Sequence, residues 1–244
     1  MKAFGQTDKG IVRRDNQDDF RIESLPDGDI IICVVCDGMG GAKAGNIAST
    51  MASETFISAL ANQPMALQDK ALSNDVILDA AMAANRVIHE MAKENSDYKG
   101  MGTTLVGAVV RSGQASVINV GDSRAYLISD EKMTQITRDH SLVEDMVFRG
   151  DITRDEARTH PNRNLITRVI GTEPQVARDL FEVELKPGDR LLFCSDGLTN
   201  LVSDDEILSG LRNYKDIETC CEMLITLALA KGGTDNVTAL MVQM

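Results

Sequence analysis

The sequence has 244 residues, 43% of them hydrophobic, and contains no repeated or linker-like tract, so the chain can bury the core of one domain. Its formal net charge of −12 argues against nucleic acid and anionic membranes as partners, and it suits a site for cations. The first residues lack the apolar segment of a signal peptide, and no apolar run reaches about 18 residues. These features predict a cytoplasmic protein that does not cross a membrane.

The five cysteines lie mostly within apolar stretches, which predicts reduced thiols of the core rather than disulfides. Cys33 and Cys36 are spaced as C-x-x-C. On a strand, however, that odd spacing places the two side chains on opposite faces. The three histidines are not paired at ligand spacing. Zinc or redox chemistry is therefore not indicated.

The first part of the chain predicts antiparallel strands followed by helices. A turn signal at 26–29 leads into a continuous apolar run that ends at Asp37, which is typical of a buried strand. Helical periodicity of the apolar residues follows. The expected elements are strands at 3–8, 18–24 and 30–37 and helices at 44–60 and 74–93.

The second part predicts a β-meander, a polar segment, and further strands around one helix. The polar segment, residues 141–177, breaks the β pattern. It lies in a stretch whose basic and acidic side chains are equal in number. This composition fits either recruitment of an anionic substrate or a helical insertion with solvated ion pairs. The expected elements are strands at 104–110, 115–120, 125–128, near 133, 190–194 and 237–242 and a helix at 217–230.

Aspartates recur where predicted apolar strands begin or end. A buried lone carboxylate is costly unless it is paired, hydrogen-bonded or metal-bound. Oxygen ligands without His or Cys favour Mg²⁺ or Mn²⁺, and two such ions about 3.5–4 Å apart can support phosphoryl transfer to water. Such clusters are compatible with three kinds of enzyme: a nuclease, a pyrophosphatase or a phosphatase. The aspartates are Asp18, Asp37, Asp122, Asp196 and Asp235.

Short motifs run through nearly the whole chain in one order. Each is weakly specific, but the ordered combination is highly specific. They are GIVRRDNQD at 10–18, DGMGG at 37–41, GTT at 102–104, GDSR at 121–124, TRDH at 137–140, RNLITR at 163–168, CSDG at 194–197 and DN at 235–236. With these motifs the chain resembles the metal-dependent protein phosphatases of the protein phosphatase 2C type, in particular their bacterial branch.

This resemblance implies a fold of the α+β class. The expected architecture is a four-layer α-β-β-α sandwich with two central antiparallel sheets flanked by helices. It also implies one catalytic domain over residues 1–244, with a mobile flap at about 141–177 beside the active site.

The resemblance also implies roles for the acidic residues. Asp37 matches the carboxylate that bridges two metal ions, and the carbonyl of Gly38 matches a second ligand. Asp196 and Asp235 match the remaining direct ligands of one ion, and Asp18 matches a residue that orients waters on the other. The expected cofactors are Mn²⁺ or Mg²⁺, two ions in all.

Residues around this core receive further roles from the same resemblance. Asp122 matches a position that binds a third, looser metal ion. Arg13 matches the arginine that clamps the substrate phosphate, and Asn236 supports the site and substrate binding through hydrogen bonds. Two positions depart from the usual pattern: Gln17 replaces a glutamate beside the phosphate-binding arginine, and Ala42 replaces a histidine. If that histidine protonates the leaving alkoxide, water or another group must do so here.

The function implied is hydrolysis of phosphoserine and phosphothreonine in proteins by a metal-bridged water, opposing a bacterial Ser/Thr kinase. The expected partners are phosphoproteins, and the expected state is a monomer. A phosphoprotein-binding pseudoenzyme and a regulator with one dedicated phosphoserine partner are the alternatives. Retention of every direct ligand favours an enzyme. No C-x₅-R phosphate loop and no nucleotide-binding G-x-x-x-x-G-K-[ST] loop occurs in the chain.

Overall fold

The computed structural model describes residues 1–25, 29–41 and 44–244, and within the helix over 70–94 it leaves the side chains of residues 70 and 71 undescribed. Most of the turn predicted at 26–29, and position 42, lie outside the described residues. No helix in the described part is long and apolar enough to cross a membrane.

The strands form two antiparallel sheets. The first sheet has the order β1-β11-β10-β7-β8, and the second has the order β2-β3-β5-β6-β9 with the short β4 paired to the end of β3. The strands are Lys2–Asp8 (β1), Asp18–Ser24 (β2), Ile30–Met39 (β3), Gly102–Thr103 (β4), Leu105–Arg111 (β5), Gln114–Val120 (β6), Arg124–Ser129 (β7), Lys132–Gln135 (β8), Asp179–Glu184 (β9), Arg190–Cys194 (β10) and Val237–Gln243 (β11).

Helices cover the outer face of each sheet. The described α-helices are Ala44–Ala61 (α1), Pro64–Gln68 (α2), Lys70–Glu94 (α3), Leu142–Arg149 (α4), Arg154–Thr159 (α5), Asp196–Thr199 (α6), Asp204–Arg212 (α7) and Ile217–Ala230 (α8), and a 3-10 helix spans Ser96–Tyr98. One hydrophobic cluster joins α1 and α3 to the second sheet, another joins α7 and α8 to the first sheet, and a third fills the space between the sheets. This confirms the predicted four-layer sandwich.

Strand β3 illustrates how the sequence builds these layers. Ile32 and Val34 pack in the cluster with the helices, whereas Ile31 and Val35 pack between the sheets, as period-two alternation requires. The same alternation places Cys36 toward the helices and Cys33 between the sheets. The prediction that this C-x-x-C pair points to opposite faces is thus confirmed, and all five cysteines are free and buried.

Several elements differ from the sequence prediction, among them the short helices α2 and α6 and the earlier start of α3 at Lys70, and three further differences have a clear physical reason. β3 does not stop at Asp37, because Gly38 and Met39 continue it by pairing with β4. No strand was predicted at β9, whose residues alternate only between half-buried and exposed at the sheet edge. No helix was predicted at α7, which Ser203 and Glu206 begin with a capping box.

Candidate metal centre

Five aspartates meet where the two sheets come together. Asp18 and Asp37 are directly opposite each other in the antiparallel register of β2 and β3. Asp122 lies in the turn between β6 and β7, Asp196 begins α6 directly after β10, and Asp235 precedes β11. These are all the aspartates that were predicted from the sequence to belong to the metal site. The structure brings them close enough to interact electrostatically.

The pKa values of four of these carboxyl groups are shifted upward: those of Asp18, Asp37, Asp122 and Asp196. Burial, and then repulsion from the other four aspartates, raises the pKa of Asp37 well above its ordinary value. Burial is also the main cause that raises the pKa of Asp18 to about 7 and that of Asp122 to about 8. Burial followed by repulsion from Asp235 raises the pKa of Asp196. A cation bound among these groups would offset this repulsion and keep them ionised at neutral pH.

Asp18 connects the two sheets at the floor of this cluster. Its Oδ2 accepts hydrogen bonds from Ser195 Oγ and Thr238 Oγ1, each at 2.7 Å, and the backbone N–H of Thr238 donates to Ser195 Oγ at 3.0 Å. The other oxygen, Oδ1, is buried and has no hydrogen-bond partner among the described residues. Oδ1 of Asp122 is buried and unpartnered in the same way. Such buried acceptors are suited to a cation or its waters.

The backbone of Asp37 is held by two threonines. Thr104 Oγ1 accepts the N–H of Asp37 at 2.9 Å, and the carbonyl of Asp37 accepts hydrogen bonds from Thr104 N–H and Thr103 Oγ1, each at 2.9 Å. Thr104 Oγ1 also lies 2.7 Å from Ser123 Oγ, next to Asp122. In the sequence these threonines stood out only as part of a motif. Their burial and hydrogen bonds now show that they position the carboxylates.

Arg13 lies at the rim of the cluster. Its guanidinium Nη2 donates to Asp235 Oδ2 at 2.7 Å, and 52% of its side chain is exposed. Asn236 fastens the loop that carries Arg13: its Nδ2 donates to the carbonyls of Lys9 and Asp15, and its Oδ1 accepts the N–H of Gln17. These bonds give Asn236 a structural role, and a direct contact with substrate stays a prediction.

Gly38 and Gln17 border the first turn of α1. A β-carbon on Gly38 would lie 2.0 Å from the carbonyl oxygen of Gly45, so only glycine permits this close approach. The side chain of Gln17 packs against Gly45, where an added β-carbon would lie 2.7 Å from Gln17 Nε2. The roles predicted for the Gly38 carbonyl and for Gln17 stay predictions. The departure at Ala42 falls outside the described residues.

The chemical type of the donors in the cluster suits a hard divalent ion. The cluster contains carboxylate oxygens and no histidine or cysteine, which suits Mg²⁺ or Mn²⁺. Within residues 1–25, 29–41 and 44–244, no group of three or more His, Cys, Asp or Glu side chains forms a set that could hold a metal ion. The direct ligands named from the sequence therefore stay predictions. The raised pKa values of Asp37 and Asp196 support the assignment of these two residues.

Comparison with known proteins identifies the family. A family model described as protein phosphatase 2C matches residues 11–230. The chain belongs to the protein phosphatase 2C family. It is 37% identical to the serine/threonine phosphatase stp of Listeria innocua over 243 residues, which cover 100% of this chain and 96% of that protein.

Solved structures of this family have the same fold. The crystal structure of the serine/threonine phosphatase Stp1 from Staphylococcus aureus matches with a TM-score of 0.93 at 39% identity, covering 100% of this chain and 94% of that one. The catalytic domain of the serine/threonine protein phosphatase PstP, solved with two manganese ions, matches with a TM-score of 0.82 at 33% identity, covering 99% and 97%.

In this protein phosphatase 2C chain, a cleft of about 730 Å³ opens beside the aspartate cluster. Asp122 and Asp196 line one part of it, and side chains of residues 141–177, which we call the flap segment, line another.

The arginines of the flap segment differ in their partners. Arg154 of that segment pairs with Glu144, and Arg138, just before the segment, pairs with Asp145. In the described part of the chain, two flap arginines that line the cleft form no ion pair with a carboxylate. They are Arg158 and Arg163. The ion pairs fit the interpretation of a helical insertion, and recruitment of an anionic substrate stays a prediction that Arg158 and Arg163 would serve.

Proposed function

We propose that this protein phosphatase 2C chain hydrolyses phosphoserine and phosphothreonine in proteins with Mn²⁺ or Mg²⁺ bound at the aspartate cluster. The observation that carries this proposal is the convergence of five buried or half-buried carboxylates. Burial and mutual repulsion raise the pKa values of four of them, Asp18, Asp37, Asp122 and Asp196. Membership of the family over residues 11–230 and the activity named for the relatives support the substrate class.

The residues that would hold the ions follow from the cluster. Asp37, the carbonyl of Gly38, Asp196 and Asp235 would hold the two ions. Asp18 would hold waters through its unpartnered Oδ1, and Asp122 would contribute to a third ion. Bound divalent ions supply positive charge to the phosphate oxygens and lower the pKa of coordinated water.

The chain's own groups bind and orient the substrate around this centre. Arg13, half exposed at the rim, presents a planar guanidinium that can bind two phosphate oxygens at once. Asn236 holds the loop of Arg13 in place through the backbone of Lys9 and Asp15. Asp18 keeps a fixed position because Ser195 and Thr238 hold its other oxygen.

Partners and setting are part of the same proposal. From the family resemblance we propose that the enzyme opposes a Ser/Thr kinase, acts as a monomer and works in the cytoplasm. Its five buried free thiols suit a reducing compartment. The substrate class is tested by measuring phosphate release from one peptide sequence carrying phosphoserine, phosphothreonine or phosphotyrosine. Cleavage of the first two is expected, and a preference for phosphotyrosine would contradict the proposal.

Arg13→Ala is expected to raise KM for a phosphopeptide by roughly 10- to 100-fold with a smaller change in kcat. The reason is that charge-assisted hydrogen bonds to phosphate contribute about 1.5–3 kcal/mol. Arg13→Lys should recover part of the loss. The effect would be measured by steady-state kinetics, with Arg14→Ala, at an exposed neighbouring position, as the control. Unchanged KM in Arg13→Ala would remove the phosphate-binding role.

Shortening the flap segment is expected to affect protein substrates most. Ser141 and Ile166 are partners in an isolated antiparallel bridge, and Leu142 N–H donates to Leu165 O at 2.9 Å. A short glycine-containing turn can therefore replace residues 143–164. We expect kcat/KM for a phosphoprotein to fall about 10-fold while that for a small aryl phosphate changes about 2-fold or less, because only the larger substrate reaches the segment. Equal losses on both substrates would instead indicate that the segment supports the fold.

A further inference from the structure

His140 holds both backbone groups of one glycine. Its ring is buried, with 4% of the residue exposed. Nδ1 accepts a hydrogen bond from the N–H of Gly121 at 3.0 Å, and the backbone N–H of His140 donates to the carbonyl of Gly121 at 2.9 Å. Gly121 is followed directly by Asp122. The imidazole therefore fixes the turn that carries one of the acidic residues of the metal centre.

The opposite side of the ring contacts the end of the flap segment and the start of β9. Nε2 lies 3.2 Å from Asp179 Oδ2, and Arg168 Nη1, itself 3.1 Å from Nε2, donates to Asp179 Oδ1 at 2.8 Å. Burial lowers the pKa of His140, so the ring is neutral at neutral pH. Since Nδ1 accepts from Gly121, the proton is on Nε2 and is donated to Asp179. The backbone carbonyl of His140 also accepts the N–H of Thr167 at 2.8 Å.

The turn held by His140 is packed tightly against the centre. Gly121 has φ of +110°, and a β-carbon on it would lie 2.6 Å from the side chain of Thr104. Thr104 is the residue that accepts the N–H of Asp37 and contacts Ser123. A shift of His140 would therefore be transmitted to both Asp122 and Thr104, because no free space separates them.

We propose that His140 is a positioning residue with two roles: it holds the turn carrying Asp122 through one ring nitrogen and the base of the flap segment, at Thr167 and Arg168, through the other. Its two ring nitrogens have separate roles, since Nδ1 sets the turn and Nε2 sets the flap base through Asp179. Replacing a residue that holds a metal ligand in position commonly lowers metal affinity by about 10- to 100-fold. The metal-binding consequence rests on the proposed function, whereas the role of Nε2 in holding the flap base does not.

Two substitutions separate the two nitrogens. In His140→Asn, the shorter amide can still accept from Gly121 N–H but does not reach Asp179. In His140→Gln, the longer amide can reach Asp179 but offers no acceptor at the place of Nδ1. His160→Asn, within the flap segment and outside this network, is the control. The readouts are hydrogen exchange of the amides of residues 141–177 and the affinity of the protein for Mn²⁺ alone.

We expect His140→Asn to speed exchange near Thr167 by about 10-fold and to leave Mn²⁺ affinity nearly unchanged. We expect His140→Gln to weaken Mn²⁺ binding by about 10-fold, with little change in hydrogen exchange. The affected binding event should be the one that Asp122→Asn removes. If both variants match the control in both readouts, the proposal is wrong. Both variants could instead show faster exchange, weaker Mn²⁺ binding and a lower melting temperature to the same extent. His140 would then only fill the core, and the proposal of two separate roles would also be wrong. Should the protein bind no Mn²⁺, the exchange result still tests the role of Nε2 at the flap base separately from the proposed function.

Discussion

Asp37→Asn is expected to lower the turnover of a phosphothreonine peptide by on the order of 10³-fold or more while raising the melting temperature of the metal-free protein. Turnover falls because an amide lacks the charge with which Asp37 would share two ions, and loss of one preorganised electrostatic group already costs about 10²- to 10³-fold. Stability rises because an amide is neutral at every pH, whereas burial and the other aspartates oppose ionisation of the Asp37 carboxyl in the folded protein but not in the unfolded chain. The side chain that catalysis needs thus destabilises the protein without metal.

The matched control for this experiment is Asp79→Asn, the same chemical change at an exposed position of α3. It should leave kinetics and melting temperature near those of the wild type. Turnover in Asp37→Asn within about 10-fold of the wild type would contradict the assignment of Asp37 to the metal ions. A lower melting temperature of the metal-free variant would contradict the electrostatic explanation.

The metal-free protein is expected to lose stability as the pH rises from 6.5 to 8.5. Asp18 and Asp122 have folded-state pKa values of about 7 and about 8, above their value of 3.8 in the unfolded chain. In this window the folded protein binds more protons than the unfolded chain, so raising the pH favours unfolding. The expected drop in melting temperature is on the order of 5 °C, measured by calorimetry in the presence of EDTA.

Saturating Mn²⁺ should reverse this pH dependence. Ions bind the deprotonated carboxylates, so their stabilising effect grows as the pH rises. Asp122→Asn supplies the control, because it removes a group that titrates within this window and should flatten the curve recorded in EDTA. A metal-free protein that gains stability between pH 6.5 and 8.5 would show that the aspartates do not titrate as the structure implies.

The architecture could be predicted well from the sequence because its apolar periodicity is strong. β3 and α8 are nearly all apolar on the faces that they bury, and their positions follow from that pattern alone. β9 was missed because it lies at a sheet edge with half-exposed side chains, and α7 because its helix signal lies in its cap rather than in a long apolar stripe. Weakly buried elements depend on contacts that single-sequence patterns do not contain.

The acidic residues of the site were also accessible from the sequence, since each aspartate lies at or near the end of an apolar strand. Their supporting residues were not. Ser195 and Thr238 reach Asp18 from positions about 180 and 220 places away in the chain, and His140 reaches Asp179 through a contact between separate segments. Such contacts arise only when the two sheets pack together. The one sequence signal that could have pointed to these supporting residues is a polar residue next to the end of a predicted apolar strand.

Catalysis by metal ions at the aspartate cluster is tested most directly by phosphate release from a phosphothreonine peptide after EDTA treatment of the purified enzyme, as Mn²⁺ is added back. We predict no turnover in EDTA, recovery with Mn²⁺ or Mg²⁺, and no recovery for Asp37→Asn under the same conditions. Turnover that persists in EDTA with no metal bound would contradict the metal centre. A folded protein that stays inactive with either ion would contradict the assignment of catalysis to this chain.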